Sequence, residues 1–136
     1  MNQTISAPRW AKPIAVAALV FGLLTLKSGG GVLFFEGPRL AAGDYVPFVV
    51  WFNFLTGFAY VAAAIGLWRW ERWAARLAAA VAMLTLLVFA AFGLHVLTGG
   101  AFEMRTVGAM TLRLGVWTAI AIAGCRALSC FRVSAD

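Results

Sequence analysis

Four uninterrupted apolar stretches decide what this chain can become. They cover residues 13–35, 48–67, 74–97 and 106–128. Each is near the roughly 20 residues of helix needed to cross a hydrocarbon core of about 30 Å. Inside lipid no water serves the backbone, so a spanning segment must satisfy its own N–H and C=O groups. Helix does this within one segment. A barrel would need polar and apolar residues to alternate, and these runs show no such period. Composition points the same way: 63% of the 136 residues are hydrophobic and 12% are charged. A soluble domain has roughly 45–50% and roughly 25%. The expected fold is all-α, one integral membrane domain over residues 1–136, arranged as an antiparallel four-transmembrane-helix bundle.

The formal charge of +6 does not imply nucleic acid, because the basic residues are dispersed between spans and form no arm. They read as topology. Arg9, Lys12, Arg69, Arg72, Arg76, Arg126 and Arg132 fall on one side of the spans, and only Arg39 and Arg105 on the other. Cytoplasmic loops are enriched in Lys and Arg, so both termini are expected in the cytoplasm. The distribution and size fit a bacterial inner membrane. The run from Trp68 to Trp73 reads as an interfacial belt, with indoles at headgroup depth. The outer connections, 36–47 and 98–105, read as turns. Residues 1–28 also share the outline of a signal peptide, a basic start followed by an apolar run, although Lys27 fits a cleavage region poorly.

Lipid gives helices no hydrophobic reason to associate, so contacts depend on small residues. Ala74, Ala78 and Ala82 recur in span 3, and Gly115, Ala119 and Ala123 in span 4. Ala62 with Gly66, and Ala18 with Gly22, extend the pattern to spans 2 and 1. These stripes predict helices that are tight near the cytoplasm and wider toward the outer leaflet. Gly29-Gly30-Gly31 allows two readings: an unwound segment lining a cavity, or a helix that stops at Ser28 before a hydrophobic loop.

Polar side chains within a membrane are costly and mark functional sites by default. Lys27 lies roughly 13 Å below the outer end of span 1, Asn53 roughly 9 Å into span 2 and Arg113 roughly 10 Å into span 4, at 1.5 Å per residue. His95 is near the outer end of span 3. Each span therefore brings one polar residue to the outer half. Glu103, Thr106, Met110, Arg113 and Trp117 follow three-and-four spacing, which places them on one helix face. That face is the least lipid-like in the chain and is expected to turn inward. Trp51, Phe52 and Phe54 are expected to surround the Asn53 amide. Lys27, Asn53, His95, Glu103 and Arg113 are accordingly the candidate ligand-binding residues.

Other chemistry finds little support. One histidine excludes bis-histidine haem in a single chain; His95 with Met104 or Met110 is the only metal or haem pairing to consider. No nucleotide-binding, zinc-hydrolase or serine-hydrolase signature occurs. Cys125 and Cys130 stand roughly 140° apart around a helix, so no disulfide is expected between them. The run from Phe21 to Lys27, together with the four short spans, resembles DoxX-type small bacterial membrane proteins. The likeness covers a small part of the chain and implies no site residue.

The expected function is binding or transport of a small anionic or carbonyl-bearing ligand: a lipid headgroup, a quinone or a small acid. The cofactor, if any, is not specified by the sequence. The alternative is a non-catalytic accessory subunit that meets another membrane protein, or a second copy of itself, through the small-residue faces. A redox or metal role for His95 ranks third.

Overall fold

Apolar runs with no proline in their interiors fold as continuous helix, and their ends fall where proline, glycine and charge interrupt them. The structure, a computed structural model, describes residues 6–128. It contains α1 (Ala11–Phe34), α2 (Glu36–Ala42), α3 (Pro47–Trp68), α4 (Arg72–Leu97) and α5 (Met104–Leu128). No strand occurs among the described residues. The four long helices are each long and apolar enough to cross a membrane. Their bounds agree with the expected spans to within two residues.

The outer connection expected as a turn instead contains a helix, α2. Glu36 in its first turn and Arg39 in its last complement the helix dipole. Gly43, at φ 67°, ends it in a conformation that glycine adopts without strain. Arg39 donates Nε–H to the Val32 carbonyl at 3.0 Å and a second N–H to the Leu33 carbonyl. Both acceptors belong to the last turn of α1, whose carbonyls have no partner within the helix. Arg39 thereby fixes α2 to the end of α1.

Both readings of the triple glycine are overturned, because α1 stays helical through Gly31 to Phe34. The glycines serve packing. A Cβ on Gly29 would lie 3.1 Å from the Phe54 Cβ and 3.3 Å from its Cα. A Cβ on Gly22 would lie 3.0 Å from the Tyr60 Cβ, and one on Gly57 2.8 Å from the Leu26 side chain. Ala11, Ala15, Ala18, Gly22, Thr25 and Gly29 form the buried stripe of α1. Their spacing of four and three residues keeps one narrow face on α3. The cost of three consecutive glycines, about 1 kcal/mol each, is offset by this backbone approach.

α1 packs chiefly on α3, α4 chiefly on α5, and α3 against α4 joins the two pairs. At one end Ala11, Trp70, Ala75 and Leu128 form a small buried cluster. Trp70 is therefore not part of an exposed belt. It has φ 58°, turns inward and meets Trp10 edge-on at 5.2 Å. Trp68 and Trp73 stay exposed, as expected of interfacial indoles, with the Lys12 ammonium 5.1 Å from the Trp68 ring. The middle layer holds Ala18, Tyr60, Ala63, Ala74, Ala78, Val81 and Trp117. At the far end Val46, Val49, Phe92 and Met110 form a third cluster.

Ala74 and Ala78 are buried as the small-residue stripes require. The stripe expected on α5 points the other way: Gly115 and Ala119 are exposed, and nothing lies within 4 Å of a Cβ on Gly115. Trp117, Ile120, Ala121 and Gly124 make the contacts instead. The polar face through Met110, Arg113 and Trp117 decides the rotation of α5, and Gly115 is two residues off it. The expectation about a Cys125–Cys130 disulfide concerns Cys130, which lies outside the described residues.

Two glycine variants separate packing from propensity. Gly22→Ala is expected to destabilise the protein by about 1–3 kcal/mol through overpacking against Tyr60 and Val61. Gly115→Ala is expected to be neutral or to stabilise by up to about 1 kcal/mol. Reversible unfolding in bicelles measures both. Equal effects would contradict the close α1–α3 approach.

Candidate functional site

Because α1 and α5 each hold to a different neighbour, space remains between them. A cavity of about 670 Å³ occupies it, lined by α1, α2, α3 and α5 and by none of α4. This is within the roughly 300–1,000 Å³ common for ligand pockets. Lys27, Asn53, Glu103 and Arg113 all line it. Four of the five candidate ligand-binding residues therefore line one cavity. Arg105, Thr106, Ser28 and Tyr45 add further polar groups to the wall. Leu24, Val32, Val49, Val50 and Ala109 supply apolar wall.

His95 is not among the lining residues. It belongs to α4, which borders no part of the cavity. Its Nε2–H donates to the Ala101 carbonyl at 3.0 Å, and its ring lies edge-on to Phe48 at 6.2 Å. Gly100 packs directly beneath the imidazole, where a Cβ would come 2.3 Å from Nε2. His95 thus holds the α4–α5 connection in shape. Its two possible sulfur partners are placed differently from each other: Met104 is 71% exposed, and Met110 is fully buried among Val46, Val49 and Phe92. Among the described residues, no three His, Cys, Asp or Glu side chains gather as a metal site.

Of the aromatics expected around Asn53, Trp51 and Phe54 pack against each other. Trp51, Phe54 and Phe34 form an edge-to-face ladder, and Phe58 extends it from Phe54. Phe54 covers Gly29 and Gly30. The Asn53 side-chain oxygen, Oδ1, is left buried and without a hydrogen-bond partner.

One end of the cavity is bordered by α2 and the loop that follows it. Pro38, Ala41 and Ala42 form that wall. Two bonds from the start of α5 hold it there. Glu103 Oε1 accepts the Asp44 backbone N–H at 3.0 Å, and Arg105 donates to the Ala41 carbonyl at 2.9 Å. Gly43 is required at this point, since a Cβ there would lie 2.4 Å from Glu103 Oε1. Glu103 therefore serves the cap as well as the cavity wall, a role its sequence position did not reveal.

The other end is built around Arg113. Its guanidinium carbon lies 6.0 Å from the Phe21 ring centre, and its Nε is buried without a partner. Tyr60 is the polar side chain beside it, and the Tyr60 hydroxyl also lacks a hydrogen bond. Tyr60 stacks on Trp117 at 4.5 Å, both fully buried, and the Trp117 indole N–H is unpartnered too. Three donor groups and the Asn53 Oδ1 thus remain unsatisfied on α3 and α5. Each such group costs about 1–3 kcal/mol when left unpaired in a protein interior. Tyr60 was not singled out from sequence. It stands seven residues after Asn53, on the same face of α3, and that spacing was the available signal.

No protein-family model, curated protein or solved structure matches the chain. The resemblance of the first span to DoxX-type proteins gains no support from these comparisons.

The cap can be tested separately from any ligand. Glu103→Ala is expected to speed Asp44 amide exchange about tenfold, equivalent to about 1.4 kcal/mol and close to the worth of a hydrogen bond to a charged acceptor. Glu103→Gln, which keeps an acceptor, is expected to lose less. Hydrogen exchange followed by mass spectrometry reads both variants, and unchanged exchange in Glu103→Ala would show that the latch carries no weight.

Proposed function

We propose that this protein binds or transports a small anionic or carbonyl-bearing ligand in the cavity between α1, α3 and α5. The observation that carries this reading is the Arg113 Nε, buried without a hydrogen-bond partner, on a residue that lines a cavity with both polar and apolar walls. Lys27 and Arg105 add two more cations to that wall. Glu103 is the single acid there, and one of its oxygens is engaged by Asp44. An oxyanion or polarised carbonyl would satisfy the Arg113 donor and balance part of the charge. Tyr60, beside Arg113, lies behind the cavity wall, and the Asn53 amide can orient the bound group. The apolar wall suits a ligand with carbon framework attached to that group.

The reading carries an orientation. The Arg9, Lys12, Arg69, Arg72, Arg76 and Arg126 end faces the cytoplasm of a bacterial inner membrane, the helices alternate in direction, and the cavity lies in the outer-leaflet half. Bound ligand would sit roughly 10 Å below the outer headgroups, from the placement of Arg113 along α5.

A second reading is an accessory subunit, favoured by one observation. Gly108, Gly115 and Ala119 leave an exposed small-residue strip on α5, and a Cβ on either glycine would have open space. Such a strip admits a partner helix at close range.

Octanoate, titrated into purified protein, distinguishes the two. It is expected to raise the wild-type melting temperature by several degrees. Lys27→Met with Arg113→Met is expected to insert and fold normally while losing at least nine-tenths of that shift. Equal stabilisation of the double variant would overturn the ligand reading. Loss of co-purifying protein in Ala119→Phe, with the octanoate response intact, would support the accessory role as an additional one.

A further inference from the structure

The cavity is capped at one end and unsealed along one side. α2 and its following loop cover the outer end, held by the Glu103–Asp44 and Arg105–Ala41 bonds. Arg39 also ties α2 to the last turn of α1. The opposite end is filled by the stacked Tyr60 and Trp117 and by the alanines around them. The side between α1 and α5 has no such seal, because neither helix packs on the other along its length. Phe21 beneath Arg113 is the point where they meet. Above it, Leu24, Lys27 and Ser28 line the cavity and are also exposed on the outer surface of α1, Leu24 by 60%. With so little packing along it, the seam between α1 and α5 is a breach in the wall. In a membrane, that breach opens on acyl chains.

We infer that the ligand enters sideways from the outer leaflet, through the seam between α1 and α5, and that it is an anionic amphiphile with an acyl chain. The inference rests on the cavity being an anion site, as proposed above. The anionic group meets Arg113 and Lys27, and the chain passes Leu24 and Ala109 into the surrounding hydrocarbon. A helix-bounded basic pocket reached from the bilayer suits such a molecule better than a freely soluble acid. A water-soluble acid would have to lift the cap first. The head and chain could belong to a free long-chain carboxylate or to an anionic phospholipid, which share this chemistry.

The test uses the full chain in phosphatidylcholine nanodiscs doped with either oleate or phosphatidylglycerol. Native mass spectrometry then reads what remains bound. One amphiphile per chain is expected in one of the two arms, and the arm identifies the source. Leu24→Trp and Ala109→Phe, which narrow the seam from opposite sides, are expected to reduce retention at least tenfold with helical circular dichroism unchanged. Arg113→Met is expected to do the same. Butyrate, which has the head but almost no chain, is expected not to stabilise the wild type. Wild-type retention in both seam variants would overturn the lateral route. Stabilisation by butyrate equal to that by oleate would also overturn it, while leaving the anion site standing. Retention of neither amphiphile, with no butyrate effect, would overturn both.

Discussion

The close approach of α1 to α3 governs the rest of the structure. Lipid tails are as apolar as leucine, so these helices associate only as well as their surfaces fit. Gly22, Gly29 and Gly57 remove the side chains that would hold the backbones apart. Once α1 is committed to α3, it cannot also follow α5, which is committed to α4. The space between α1 and α5 is the consequence of that division. It brings Lys27 and Asn53 to one wall and Arg113 to the other. A more evenly spread set of small residues would have closed the cavity and forced the cation out.

Such a cavity would be unremarkable if it were lined only by leucine and valine. Its polar groups are what give it chemistry. Arg113 Nε, the Tyr60 hydroxyl, the Trp117 N–H and the Asn53 oxygen are buried without partners. By contrast, the buried threonines are satisfied locally: Thr56 donates to the Phe52 carbonyl and Thr85 to the Val81 carbonyl. Among the described residues four of the five unpartnered buried groups lie on α3 and α5, and the fifth, Trp70 Nε1, lies in the cluster with Ala11, Ala75 and Leu128. Stability is given up at such groups, as is usual where a site is prepared for something it does not itself contain.

The spans were legible from sequence because length and hydropathy alone define them. The inward face of α5 was legible because Glu103, Thr106, Arg113 and Trp117 share a helical period that no lipid-facing surface would carry. Depth counting found Lys27, Asn53 and Arg113 because all three are polar residues in apolar runs. The same counting misplaced His95, since depth along a span says nothing about the direction in which a side chain points. The helix at Glu36–Ala42 was missed because proline and glycine in a short segment read as a turn, and its anchor, Arg39, bonds to α1 carbonyls. The triple glycine was misread for a related reason. Glycine weakens an isolated helix, but Phe54 on a neighbouring helix turns that weakness into a contact surface. The exposed Gly115–Ala119 strip shows the converse: small residues at the right spacing do not by themselves face a partner within the chain.

The central claim is that an anionic oxygen occupies the position facing Arg113. Solid-state NMR on bilayer-reconstituted protein addresses it directly, using octanoate labelled with ¹³C at the carboxyl carbon and protein labelled with ¹⁵N in arginine. The account predicts dipolar contact between the carboxyl carbon and a guanidinium nitrogen at hydrogen-bonding range, abolished in Arg113→Met. An immobilised carboxylate with no arginine contact, or contact that survives that substitution, would contradict it.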